Sequence, residues 1–231
     1  MWLTFLFWLC VGVLILFLGI GFITYYAVNR LNRAEELLMP RSAPRKGDDS
    51  DWAAAHAEAD TWALQKGFEP YQCMAFYALI DEEAMEIASW KHKDAPCYGL
   101  FYHYMGKSWW DFSSCFENEE VLTTSGQRDS LMLPTPEGLY LQAFAHATPD
   151  VLYEHHKTAL QHLEACKKTR AVYLNKTLRQ LILEAMQKQA DYVQQGAFWY
   201  LNGALWYFYR RLRYHGKPVQ KTYRRQLKSA A

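Results

Sequence analysis

No charged side chain occurs before Arg30, and no acidic one occurs between residues 210 and 231. The chain also lacks a Cys-x-x-Cys pair, a His-Glu-x-x-His helix motif, internal repeats and low-complexity segments. Each absence excludes something. Without a basic start, a short apolar core or a small-residue cleavage site, the first 30 residues do not read as a cleaved signal peptide. Leu9 before Cys10 is not the small residue of a lipoprotein signal. Without paired Cys/His spacing there is no structural zinc site, and no metal or other cofactor is expected. Without a repeat, a solenoid is excluded.

What fills the first segment is apolar. WLTFLFWLCVGVLILFLGIGFITYY runs from Trp2 to Tyr26, and as a helix it spans the roughly 30 Å hydrocarbon layer. Trp2 at one end and Tyr25 and Tyr26 at the other suit the interfacial aromatic belts. Arg30, Arg33, Arg41, Arg45 and Lys46 follow, and an excess of Lys/Arg marks the cytoplasmic side. The expectation is a single-pass signal-anchor over residues 1–29, amino terminus outside, body in the cytoplasm of a cell membrane. There the cysteines are reduced thiols.

Residues 30–50 read as a basic juxtamembrane segment and linker, in which the anchor helix stops before Pro40. Asp49 or Ser50 then caps a helix, DWAAAHAEADTWALQK, that ends at Gly67. From about 70 to 146 the period changes to two, in short aromatic and β-branched runs, which predicts an antiparallel meander. Gly106-Lys107 suits a two-residue hairpin turn. That register pairs Tyr104 with Trp109, His103 with Trp110 and Tyr102 with Asp111. It places His103 and Asp111 on opposite faces. Thr148-Pro149-Asp150 starts a helix whose apolar stripe is Leu152, His156, Ala159, Leu160 and Leu163. Leu174, Leu178, Leu181, Ile182, Ala185 and Tyr192 repeat the pattern. The fold class expected is α+β: one transmembrane helix, a domain over 51–209 with a meander and helices over about 149–209, and a basic tail over 210–231.

Catalytic signals are thin. Gly106-Lys107-Ser108 echoes a phosphate loop, but the first glycine would fall at Phe101, and a strand follows instead of a helix. His155, His162 and Cys166 share a helix side, yet only His162 and Cys166 could reach one metal, which is too few. Cys97 and Cys115 read as strand packing. Asn175-Lys176-Thr177 matches a glycosylation acceptor, which has no meaning in a cytoplasmic helix. Asp111, an acid inside the strand SWWDFSSCF, is the residue most worth following, with the Tyr102 hydroxyl as its expected partner. His103, Thr124 in the hydroxyl-rich run LTTSGQRDS, and His156 complete the candidates for a functional acid or ligand site.

The run GAFWYLNGALWYFYRR (196–211) is too short as a helix, at about 21 Å for its uncharged part, to be a second span. Its aromatic residues and the basic residues beyond it favour an interface position, narrowly over a place in the protein core. The residues expected at the membrane interface are Trp2, Tyr25, Tyr26, Arg30, Arg33, Trp199, Trp206, Arg210, Arg211 and Arg213. Residues 210–231 carry eight Lys/Arg, while the remainder has 17 basic and 24 acidic residues, so a basic end sits on an acidic body. The partner this implies is the anionic cytoplasmic leaflet, with a protein partner in a membrane complex as a further possibility and nucleic acid disfavoured. The function expected is non-enzymatic: an adaptor, sensor or subunit of a membrane-associated complex. The alternative is a membrane-bound enzyme with a site around Asp111 and His103.

Overall fold

The computed structural model describes residues 1–44, 50–77 and 84–229. Asp49, the basic linker residues 45–46 and residues 78–83 of the expected meander fall outside them.

A 31-residue helix, α1 (Trp2–Asn32), is long and apolar enough to cross a bilayer. It is interrupted at Arg33, where the backbone leaves the helical region (φ −104°, ψ 15°). One further turn, α2 (Ala34–Leu37), leads straight into β1 (Leu38–Arg41). Part of the expected linker is therefore an edge strand. Pro40 is tolerated there because an edge strand has one row of donors without a sheet partner. The helix α3 (Asp51–Gln65) is capped by the Ser50 hydroxyl, which accepts from Ala53 N (3.2 Å).

The strands β2 (Phe68–Phe76), β3 (Met85–His92), β4 (Tyr98–Tyr104), β5 (Lys107–Phe116) and β6 (Val121–Ser125) follow as antiparallel neighbours. The seventh, β7 (Leu139–Ala143), pairs with β6 in parallel. The meander thus ends one strand early. The connection from 126 to 138 crosses over and contains a 3-10 turn at Arg128–Leu131, inside the stretch expected to continue the meander. A two-residue strand, β8 (Ala171–Val172), closes on β5. The fold is α+β, with a mostly antiparallel sheet.

The β4–β5 turn differs from expectation by one residue. The loop is Met105-Gly106, both with positive φ (49° and 69°), and the pairs are Tyr104↔Lys107, Tyr102↔Trp109 and Leu100↔Asp111. Cross-strand rings decide the register. Tyr102 stacks on Trp109 (5.2 Å, 6°) and Phe101 meets Trp110 (5.3 Å), which outweighs the cost of holding Met105 left-handed. The side of the sheet each residue faces is unchanged, because the pairing shifts by two residues, one full period of a strand.

Both faces are covered. On one, α3 and α4 (Pro149–Lys167) bury Phe68, Ala88, Trp90, Phe101, Trp110 and Phe112. Leu152, His156, Ala159 and Leu163 are the buried stripe of α4, and the Thr148 hydroxyl caps it. On the other face lies α5 (Leu178–Gln194), opened by a Thr177/Gln180 capping box; its Leu178 and Leu181 pack on Met74, Ile87, Leu100 and Cys115. Leu174 precedes this helix and Tyr192 is exposed, because the cap sets the start at Thr177.

The carboxyl-terminal segment is not a free tail. After α6 (Trp199–Leu205) come a widened π turn (Trp206–Arg210), a 3-10 turn (Arg211–Arg213), α7 (Val219–Thr222) and α8 (Arg224–Ser229). Val219, Tyr223 and Leu227 are buried against α4 and β7. The Tyr223 hydroxyl accepts from Leu141 N (3.2 Å) and pairs with Thr135 (3.0 Å). Basic residues between 210 and 228 are thus carried on a segment whose apolar residues belong to the core.

Candidate functional site

Alternation along β5 sends Trp110, Phe112 and Ser114 toward α4, and Asp111, Ser113 and Cys115 toward α5. Between the sheet and α5 is a cavity of about 290 Å³. Its roof is Leu178, Leu181, Ile182, Ala185 and Met186; Leu100, Leu139 and Leu141 form much of its floor. Asp111 is the only acid among the described residues lining it, and no Lys, Arg or His lines it.

The expected Asp111–Tyr102 hydrogen bond is absent, because Leu100 and not Tyr102 lies opposite Asp111. The partner is on the other neighbouring strand. Ser125 Oγ donates to Asp111 Oδ1 at 2.6 Å, and Gly126 N donates to the same oxygen at 3.3 Å. Ser125 and Ser130 hydroxyls lie 2.5 Å apart. With the Ser125 proton committed to Asp111, Ser130 is the donor of that pair. Burial pushes the Asp111 carboxyl from its usual 3.8 up to about 7, against the lowering effect of Ser125 and Gly126. Desolvation dominates because two hydrogen bonds, both to one oxygen, replace a full hydration shell.

Behind the sheet, on the α4 side, His156 is fully enclosed. Its Nε2 is 2.9 Å from Ser114 Oγ and its Nδ1 3.0 Å from Thr124 Oγ1. Gln142 Nε2 donates to Thr124 Oγ1 (2.8 Å) and to the His155 carbonyl (3.2 Å), while its Oε1 accepts from Val219 N (3.0 Å). Burial drives the imidazole down to about 3. A neutral ring with both nitrogens satisfied and no exposed edge is a packing element that ties α4, β5, β6, β7 and α7 together.

The four candidates therefore separate. Thr124 and His156 share the enclosed network. Asp111 lies on the opposite face, in the cavity. His103 stands at the far end of the α3 side, where its Nδ1 pairs with Ser108 Oγ (2.8 Å). Ser113, Thr123, Ser130, Thr135 and Gln189 complete the cavity's polar side; Thr123 and Ser130 lie in the hydroxyl-rich run, and nothing in the sequence singled out Gln189. His162 and Cys166 do approach one another (3.5 Å), but no group of three metal-ligand residues occurs among the described residues.

The residues expected at a membrane interface divide too. Trp2, Tyr25, Arg33 and Arg213 are exposed, and Trp199 is half-buried, stacked on Tyr25 (5.7 Å). Tyr26 and Arg30 contact each other, half-buried, with the guanidinium 4.8 Å from the ring centre. Trp206 and Arg211 are buried, which corrects that expectation. The Trp206 indole donates to the Leu131 carbonyl (2.9 Å), and Arg211 lies over the Tyr207 ring (3.6 Å) with Nη1 3.4 Å from Asp129. Both hold the β6–β7 connection in place. The side chain of Arg210 is outside the described residues. What α6 and its continuation do expose is Phe198, Tyr200, Leu205, Phe208, Tyr209 and Leu212.

The helix α6 reaches α1 through small residues. A Cβ on Gly203 would come 2.2 Å from Thr24 Cγ2, and Gly21 faces Tyr200 and Leu201. Gly21, Thr24 and Val28 are the buried residues of α1. This is the close-backbone contact that small residues permit between helices.

These features define an α+β domain built onto a long apolar helix, with one acid facing a mainly apolar cavity. No family model, no curated protein and no solved structure matches the chain.

Proposed function

We propose that this protein is a single-pass membrane-anchored module that works by binding, as a sensor, adaptor or subunit of a membrane complex. Its amino terminus lies outside and its body on the cytoplasmic face. The observation that carries this reading is where α1 stops being bare. From Trp2 to Ile20 no residue is buried, and from Gly21 onward α6 and α5 cover one side of the helix. Those 19 bare residues make about 28 Å of helix, close to the thickness of a hydrocarbon layer. The body then begins where the bilayer ends. Phe198, Tyr200, Phe208 and Leu212 are exposed on the segment bound to that end of α1. Aromatic and leucine side chains flanked by arginines suit a headgroup boundary. The basic residues after Arg30 favour the cytoplasmic side. The enzymatic alternative, built on Asp111 with His103, loses its geometry because the two face opposite sides of the sheet.

A photo-crosslinking amino acid at Phe208 or Leu212, with Leu64 as an exposed control on α3, tests the reading in native membranes. Phospholipid adducts at 208 and 212 and none at 64 are expected. Protein adducts alone at 208 and 212 would replace the lipid with a partner surface. A carboxyl-terminal reporter active only outside the cell would overturn the orientation.

A further inference from the structure

Ser130 and Gln189 bound the Asp111 cavity on one side. A second cavity of about 300 Å³ shares those two residues and continues along Ile23, Ala27 and Leu31 of α1. The two cavities thus meet at Ser130 and Gln189, with the flank of α1 on one side and the buried acid on the other. The outer cavity carries Arg30 and Asp129; the inner one carries Asp111 alone among charged side chains. A mainly apolar concavity with a few converging polar groups is the usual form of a small-molecule site.

The lining also selects. Ser113 and Thr123 hydroxyls are paired with each other (3.3 Å), and Ser130 donates toward Ser125. Both hydrogen bonds to Asp111 end on Oδ1, so Oδ2 is the acceptor facing the cavity. A carboxylate-bearing ligand would meet no cation there and one acid. An ammonium group would meet the one charge that complements it.

We propose that this cavity is a binding site for an apolar amine, with its ammonium group on Asp111 and its hydrocarbon body between Leu100, Leu141 and the α5 residues Ile182, Ala185 and Met186. A route along α1 and past the Ser130 and Gln189 side chains delivers such a molecule from the bilayer surface. Only that route rests on the membrane reading; the site stands without it. Around Asp111 the titratable neighbours are the Tyr98 and Tyr102 phenols on β4 and the Cys115 thiol on β5, all held neutral by burial. Tyr140 on β7 is a further buried phenol of the lining; from outside it, Glu184 and Lys188 of α5 and the nearby Lys176 act on Cys115, and Asp129, beyond Ser130, is paired with Arg211. Since the free carboxyl holds its proton to about pH 7, selection for the amine strengthens above neutrality.

The test uses the full chain in detergent at pH 8, titrated by calorimetry with n-octylamine, n-octanol and n-octanoate. Ala185→Trp, which fills the cavity, supplies the micelle background, and its thermal midpoint checks folding. Saturable octylamine binding, tighter than octanol by on the order of tenfold, is expected. Asp111→Asn should bring the two to equal affinity while leaving octanol binding intact. Three points would each overturn the proposal: no saturable octylamine binding, equal affinity for amine and alcohol in the parent protein, or a preference that survives Asp111→Asn. Failure here with lipid adducts at Phe208 would leave the membrane reading standing. To test the route, octylamine is supplied from preloaded vesicles or from water to reconstituted protein. Faster occupancy from water would refute entry along α1.

Discussion

Two buried groups on either side of one sheet give the protein opposing responses to pH, and removing one should uncover the other. Asp111 holds its proton up to about pH 7 in the fold, whereas an unfolded carboxyl ionises near 3.8. Between those values the native state binds more protons, so stability falls as pH rises. Over about three pH units, at about 1.4 kcal/mol each, the loss is on the order of 4 kcal/mol by pH 7. His156 does the reverse. Its folded value is about 3 against an unfolded 6.5, so the unfolded chain binds more protons and stability is lost as pH falls through that window, by on the order of 5 kcal/mol. Between about pH 4 and 6.5 the two slopes cancel. Asp111→Asn keeps the side-chain volume and an acceptor for Ser125 while abolishing the titration. The variant should therefore be more stable than the parent at pH 7.5 by several kcal/mol. Below pH 6.5 it should lose stability on acidification more steeply than the parent, by about 1.4 kcal/mol per unit. Urea unfolding in a mild detergent, followed by tryptophan fluorescence from pH 4 to 8, measures both. An unchanged midpoint at pH 7.5, or a variant no steeper than the parent between pH 4 and 6.5, would refute the reasoning.

Two further outcomes are expected. Met105→Asn should raise stability by roughly 0.5–1 kcal/mol in thermal unfolding, because asparagine tolerates the left-handed backbone that the exposed Met105 is forced into; a loss would contradict the two-residue Met105-Gly106 turn. Tyr173→Phe should cost about 1–3 kcal/mol. Its hydroxyl lies 2.6 Å from the His92 carbonyl and 2.7 Å from that of Ala95, and accepts from Cys97 N at 3.2 Å. Amide exchange confined to residues 93–97 should rise with it.

Local rules located the helices. Ser50, Thr148 and Pro149 are caps whose chemistry acts over three or four residues, so their helices begin where the sequence places them. The faces of β4 and β5 follow from alternation alone. The remainder depends on partners distant in sequence. That β7 lies parallel to β6 is set by a crossover in which Trp206 holds Leu131, a contact no local pattern encodes. Asp111 was identified as a buried acid in need of a partner. Ser125, 14 positions on, became that partner only through strand order. His156 sat on the apolar stripe of its helix, which marked its burial, but Ser114 and Gln142 carried no signal of their own. Trp206 and Arg211 resembled interfacial residues because composition does not tell a headgroup from a cation-π contact inside the protein.

The closing of the fold by its last residues has a consequence for biosynthesis. Val219, Tyr223 and Leu227 cover the α4 and β7 end of the core, and α6 packs on α1, which the ribosome makes well before it. The face of α1 that α6 covers therefore waits for its partner. Until the ribosome passes Leu227, the nascent chain presents an apolar sheet and an uncovered α1 flank to chaperones. A chain cut before Val219 should therefore be left with that end of its core uncovered, a substrate for quality control instead of a shorter working protein.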